Sequence, residues 1–118
     1  FRGLVDQSDK EFTVVFSSEA RKYLHLSAVF ACNFVNHCYA ISAELLEKHG
    51  IPFDVMLPLI DETAAKVHHM SPKDAQTGPA VRYDENVIRA QSQLLKNNPL
   101  VKDIYDRMSM NIHRMFEV

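Results

Sequence analysis

The chain has 118 residues, 13 basic against 15 acidic, and 47% of its residues are hydrophobic. That suits one domain with a modest core, read as an N-terminal arm over residues 1–17 and a helical domain over residues 18–118. The near-neutral balance speaks against nucleic acid, which leaves a basic footprint, and only 3 glycines favour helices over a strand fold rich in turns.

Phe12-Thr13-Val14-Val15-Phe16 has the β-branched and aromatic content of a short strand. One strand cannot make a sheet, so it reads as the end of something upstream or as a docking arm. The chain opens on Phe1 with neither an initiator Met nor a secretory signal, which suggests a fragment whose preceding domain is missing. Ser17-Ser18-Glu19-Ala20 starts a helix with a hydroxyl cap and an acid in the first turn. Nothing breaks that helix until Gly50, which suits the residue just past a C-terminus. Between Tyr23 and Leu46 it is apolar on nearly every side, which predicts a long helix buried all round. The other helices would cover part of it, and a second copy of the chain the rest. His25, Asn33, Asn36, His37 and Glu44 are too many polar groups for a membrane span. The two cysteines, Cys32 and Cys38, stand about 120° apart on a helix. They cannot bridge and read as buried thiols of a cytoplasmic protein.

Pro52 opens a second helix, with Asp54 in its first turn and a kink or restart at Pro58. Its period runs through Met56, Leu57, Ile60, Ala64 and Val67 to Met70. Residues 72–84 read as a loop stiffened by Pro72, Gly78 and Pro79. Asp84 caps a third helix with the stripe Val87, Ile88, Gln91, Leu94 and Leu95, and Asn97-Asn98-Pro99 ends it. A fourth helix carries Val101, Ile104, Tyr105, Met108, Ile112, Met115 and Phe116. The fold class is therefore all-α, built on one long buried helix.

Two groups of polar residues carry the candidate chemistry. Asn33, Asn36 and His37 fall at i, i+3 and i+4, on one face of an α-helix. They read either as a patch aimed at a ligand or as a hydrogen-bonded seam between helices. In the loop, Gln76, Thr77, Gly78, Arg82 and Asp84 form a preorganised polar surface, with Arg82 able to grip a carboxylate or phosphate in bidentate fashion. The plainer reading pairs Arg82 with Asp74 or Asp84 to lock the loop. The expectation is that Gln76, Thr77, Arg82 and Asp84 share a cleft with Asn33 or His37. Lys66, at the end of the second helix, suits either a substrate carboxylate or the helix C-terminus. His68 and His69 are adjacent and lack the i+3 or i+4 spacing of helical metal ligands, so no metal is expected. No Gly-rich phosphate motif is present, so this chain alone is not expected to hold a dinucleotide.

His25, the Asn33-Phe34-Val35-Asn36-His37 segment, Pro58-Leu59-Ile60 with Thr63 and Lys66, and above all the run from Ser71 to Asp84 resemble a known family. It is the C-terminal helical domain of unknown function that follows a Rossmann-like domain in proteins assigned as NAD(P)-linked oxidoreductases. The resemblance covers residues 18 to 116. It implies a fold similar to the C-terminal domain of 6-phosphogluconate dehydrogenase, a homodimer, a small-molecule substrate, and NAD(P) held mainly by the preceding Rossmann domain. Hydroxyacid dehydrogenases of that broad group place a catalytic Lys one turn before an Asn on the long helix. Here Val29 and Cys32 stand four residues before Asn33 and Asn36, so that scheme does not transfer. His25, Asn33 and Lys66 remain as candidates for catalysis. The expected role is a substrate-binding and dimerisation domain of an NAD(P)-dependent oxidoreductase, inactive without its Rossmann domain. The alternative is a non-catalytic helical interaction module. No membrane or nucleic-acid partner is expected.

Overall fold

The computed structural model of the protein describes residues 17–117; the strand expected at residues 12–16 lies outside them. Among the described residues every regular element is helical. In chain order these are α1 (Ser18–Ala28), a π-helical segment (Val29–Phe34), α2 (Val35–Glu47), a 3-10 turn (Phe53–Met56), α3 (Leu57–Lys66), α4 (Pro72–Ala75), α5 (Glu85–Leu94) and α6 (Pro99–Met115). The all-α class holds. No helix among the described residues is long and apolar enough to cross a membrane. The chain divides after Val55 into two compact units.

The first unit is dominated by the long helix. Its start is fixed by Ser17, whose hydroxyl accepts from the Ala20 N–H at 3.1 Å and so satisfies one of the otherwise orphaned donors of the first turn. Its end is a left-handed stop. Gly50 has φ 68°, its N–H donates to the Glu47 carbonyl at 3.1 Å, and the Ile51 N–H donates to Leu46 at 3.1 Å. That pair of bonds is the Schellman arrangement, which glycine permits at no steric cost. Between the two ends the helix is not α throughout, because residues 29–34 take the wider π form. No residue type announces an i→i+5 turn, so the sequence read the whole span as one α-helix.

Burial differs from expectation more sharply. Among the described residues of the first unit only Ala28 is buried, while Tyr23 is 66% and Phe30 60% exposed. Phe30 and Phe34 meet edge to face, their centroids 4.9 Å apart and their planes at 82°. That screens them only from each other. Past Gly50 the chain turns back, and Phe53 comes within 6.5 Å of Tyr39, ring to ring. The apolar girdle was expected to be covered, but within this unit no described residue covers it. Cys32 and Cys38, expected as buried thiols, are free and exposed for the same reason.

In the second unit Pro58 marks a restart. The 3-10 turn ends at Met56 and Pro58 falls in the first turn of α3, where its missing N–H leaves no bond unmade. The helical period read as far as Met70 ends at Lys66, and His68 to Met70 wind on in turns, with the His69 and Met70 N–H groups on the Lys66 carbonyl. Ser71 then caps a one-turn helix, α4, by accepting from the Asp74 N–H at 3.2 Å. Asn98 caps α6 at 3.4 Å. α5 and α6 form a hairpin side by side. Ser92 donates to Asp106 at 2.6 Å and Tyr105 to Gln91 at 2.6 Å, with Leu95 buried.

Candidate functional site

The loop from Ser71 to Asp84 is built by backbone bonds and caps. The Gln76 backbone is extended after α4, and its side-chain amide donates to the Thr77 carbonyl at 3.2 Å. Gly78 takes φ 106°, beyond the range open to other residues. A tight turn follows, with the Tyr83 N–H on Ala80 at 3.2 Å and the Asp84 N–H on Pro79 at 2.9 Å. Ala80 at its centre is buried. Asp84 then closes the loop by accepting from the Val87 N–H at 3.4 Å, so its carboxylate serves the N-terminus of α5.

Arg82 is exposed. The two ion pairs among the described residues are Lys102–Asp106 and Arg107–Asp103. The lock between Arg82 and Asp74 or Asp84 is therefore not formed. Thr77 likewise has no side-chain hydrogen bond to a described residue. The loop thus holds its own backbone in place and leaves Thr77 and Arg82 unengaged, which is the arrangement a ligand-facing surface requires.

Two contacts that the sequence reading missed fasten this loop to α6. Tyr83 has φ 49°, a rare conformation for an aromatic residue, and its ring stacks on His113 with centroids 3.9 Å apart and planes at 23°. Lys73 places its ammonium 5.6 Å from the centroid of Phe116, a cation–π distance. Beside Tyr83 an open groove runs between α5 and α6, lined by Arg89, Ser92, Lys102, Asp106 and Met110 among others. Within it the Ser92 hydroxyl and then the Lys102 ammonium, 2.9 Å away, hold the Asp106 carboxyl below its ordinary range. Donors directed at the charged form favour it.

The first unit carries the other candidates. Asn33 lies in the π segment and Asn36 and His37 on α2, so the i, i+3, i+4 face expected of an unbroken α-helix is altered by the wider turn. All three are exposed, and none makes a side-chain hydrogen bond to a described residue. The expected seam between helices is not formed in this unit. His25 is exposed in the last turn of α1. Lys66 is half-buried in the last turn of α3, in the second unit, where a cation favours the helix C-terminus. Among the described residues no group of three His, Cys, Asp or Glu side chains is placed to hold a metal ion.

A family described as a domain of unknown function, DUF2520, matches residues 2–112. The chain belongs to the DUF2520 family. A search of curated proteins gives no match. Among solved structures the DUF2520 chain is similar to a protein from Bacteroides fragilis named "putative NADP oxidoreductase", with 60% sequence identity and a TM-score of 0.82. The match covers 84% of this chain and 38% of that one. The family resemblance read from the Ser71–Asp84 run is thereby shown, and this chain spans well under half the length of the protein it is similar to.

Proposed function

We propose that this DUF2520 domain is the substrate-binding and dimerisation part of an NADP-linked oxidoreductase, with the nucleotide held mainly by a Rossmann domain elsewhere in the protein. The observation that carries the reading is the 60% identity to a structure bearing an NADP oxidoreductase's name, of which this chain covers 38%. The absence of a Gly-rich phosphate loop from the sequence agrees with a nucleotide site elsewhere.

Two features of the domain support a binding role. The Ser71–Asp84 loop is fixed by the Ser71 and Asp84 caps and by the stack on His113. It leaves the Arg82 guanidinium and the Thr77 hydroxyl to solvent. Arg82 suits an acidic substrate group, and Gln76 and Thr77 suit its neutral neighbours. In the other unit the Asn33 and His37 side chains are unengaged as well. Dimerisation is supported by the exposed apolar surface of the long helix, since large exposed patches of that kind mark interaction sites.

The test uses the full-length protein. NADP+ binding is measured by fluorescence, and the NADP-loaded protein is then screened against small carboxylic acids by thermal shift. The expected result is NADP binding unchanged in Arg82→Ala and binding of the acid weakened by about 10- to 100-fold, the worth of one charge-assisted hydrogen-bonding group. A melting temperature that drops sharply in Arg82→Ala while the acid still binds as in the wild type would make the loop structural.

A further inference from the structure

The groove beside Tyr83 has a volume of about 380 Å³, within the span of about 300–1,000 Å³ common to small-molecule sites. It lies wholly in the second unit, between two helices whose register is fixed by hydrogen bonds. Ser92 faces Asp106 and Gln91 faces Tyr105. In an antiparallel pair that register continues one turn toward the loop. It sets Arg89 opposite Ser109 and Ile88 opposite Met110, and all four line the groove.

The charges in the groove are unequally engaged. The Asp106 carboxylate accepts from Ser92 at 2.6 Å and from Lys102 at 2.9 Å, so acid and base offset each other there. Arg89 differs. It is exposed, and among the described residues its guanidinium makes no hydrogen bond, ion pair or ring contact. Glu85 stands one turn before it on α5, yet the two are not paired. The Ser109 hydroxyl likewise makes no hydrogen bond to a described residue. Ile88, Met110 and the Tyr83 ring supply an apolar wall. A guanidinium fork and a hydroxyl beside such a wall form a donor set for an oxyanion, with a surface for the body attached to it. Glu85, at the Tyr83 end, disfavours a second acidic group.

We propose that the α5–α6 groove binds a small organic acid with a single acidic group. Arg89 and Ser109 hold its oxyanion, and its apolar body lies on Ile88, Met110 and Tyr83. This site uses neither Arg82 nor Thr77 and does not rest on the substrate reading of the loop.

The test titrates the full-length protein by calorimetry with phenylacetate and phenyl phosphate. Acetate and inorganic phosphate supply the charge without the ring. At least one phenyl probe should bind, and more tightly than its ring-free counterpart. Arg89→Ala should weaken that binding by about 10- to 100-fold, the worth of one charge-assisted group, at an unchanged melting temperature. Arg89→Gln, which keeps the stem and loses the charge, should do the same. Ser109→Ala should cost about 2- to 10-fold, and Arg82→Ala should leave the binding as it is. Binding of phenylacetate alone makes the ligand a carboxylic acid, and binding of phenyl phosphate alone a phosphate monoester. The inference is overturned if neither phenyl probe binds the wild type, or if a ring-free anion binds as tightly as its phenyl counterpart. It is also overturned if both Arg89 variants bind as the wild type does. Binding lost in Arg82→Ala but kept in both Arg89 variants would assign the acid to the loop, sparing the substrate reading and sinking this one.

Discussion

Gly78 and Tyr83 both hold left-handed backbone, five residues apart in one loop, for different reasons. At Gly78 the φ of 106° is open only to glycine, and a Cβ there would meet nothing within 4 Å. The cost of a side chain is therefore purely one of backbone strain. Gly78→Ala should lower the unfolding free energy by about 1–3 kcal/mol, read from urea denaturation; an unchanged midpoint at unchanged slope would show that the loop does not need this angle. Tyr83 is held in its unusual angle by what its ring touches, the His113 imidazole. The sequence carried the caps plainly. Ser17 and Asp84 were each readable as a short polar side chain ahead of an amphipathic run, and each accepts the backbone bond that reading requires; Asn98, read only as part of the end of the third helix, also caps α6. It carried no sign of Tyr83, because the cause lies 30 residues away on α6 and nothing local favours a positive φ in an aromatic residue.

Among the elements, the α5–α6 hairpin depends on a polar bridge as well as on Leu95. Asp106 accepts from both Ser92 and Lys102, which lowers its pKa. A carboxyl whose folded pKa is depressed contributes stability that is fully present above its unfolded value, near about 3.9. That contribution is lost as the pH falls from there through the lower folded value. Acid titration of the wild type should therefore show the hairpin loosening below about pH 4, and Asp106→Asn should remove that part of the pH dependence while lowering stability at pH 7. An acid profile identical in the two proteins would discount the bridge. Most element boundaries were legible from Gly50, Pro58 and Pro99, whose effects on the backbone are local. α4 was also written in the sequence, as a Ser71 cap followed by Pro72 at the first helical position, but the surrounding Gly78 and Pro79 made it read as loop. The π turn was not legible, because no residue type announces an i→i+5 turn.

At the scale of the whole molecule, the described residues bury only Ala28, Ala80 and Leu95, and leave large side chains such as Phe30, Phe34, Leu94 and Leu100 exposed. Apolar pattern predicts which side chains seek burial but not what buries them, and this is why the long helix was expected to be covered. Covering a phenylalanine that size is worth about 1.5–3 kcal/mol. Phe30→Asp places a charge on that helix's apolar surface and should raise the dimer dissociation constant by more than about 100-fold, measured by sedimentation of the full-length protein. Dimerisation at wild-type strength in Phe30→Asp would place the interface elsewhere. The candidate site was legible only in part. The polar content of the Ser71–Asp84 run was evident, as was its likeness to a family. The stack on His113 and the freedom of Arg82 required the three-dimensional arrangement.

The fastening of the loop to α6 has a consequence for anyone wishing to move it. Lys73 meets Phe116 and Tyr83 meets His113, so the loop takes its shape from a template encoded at the far end of the second unit. Residues 71–84 transplanted into a foreign scaffold would arrive without that template, and Tyr83 would relax to an ordinary backbone angle. The smallest portable version of this surface is the loop together with the α5–α6 hairpin.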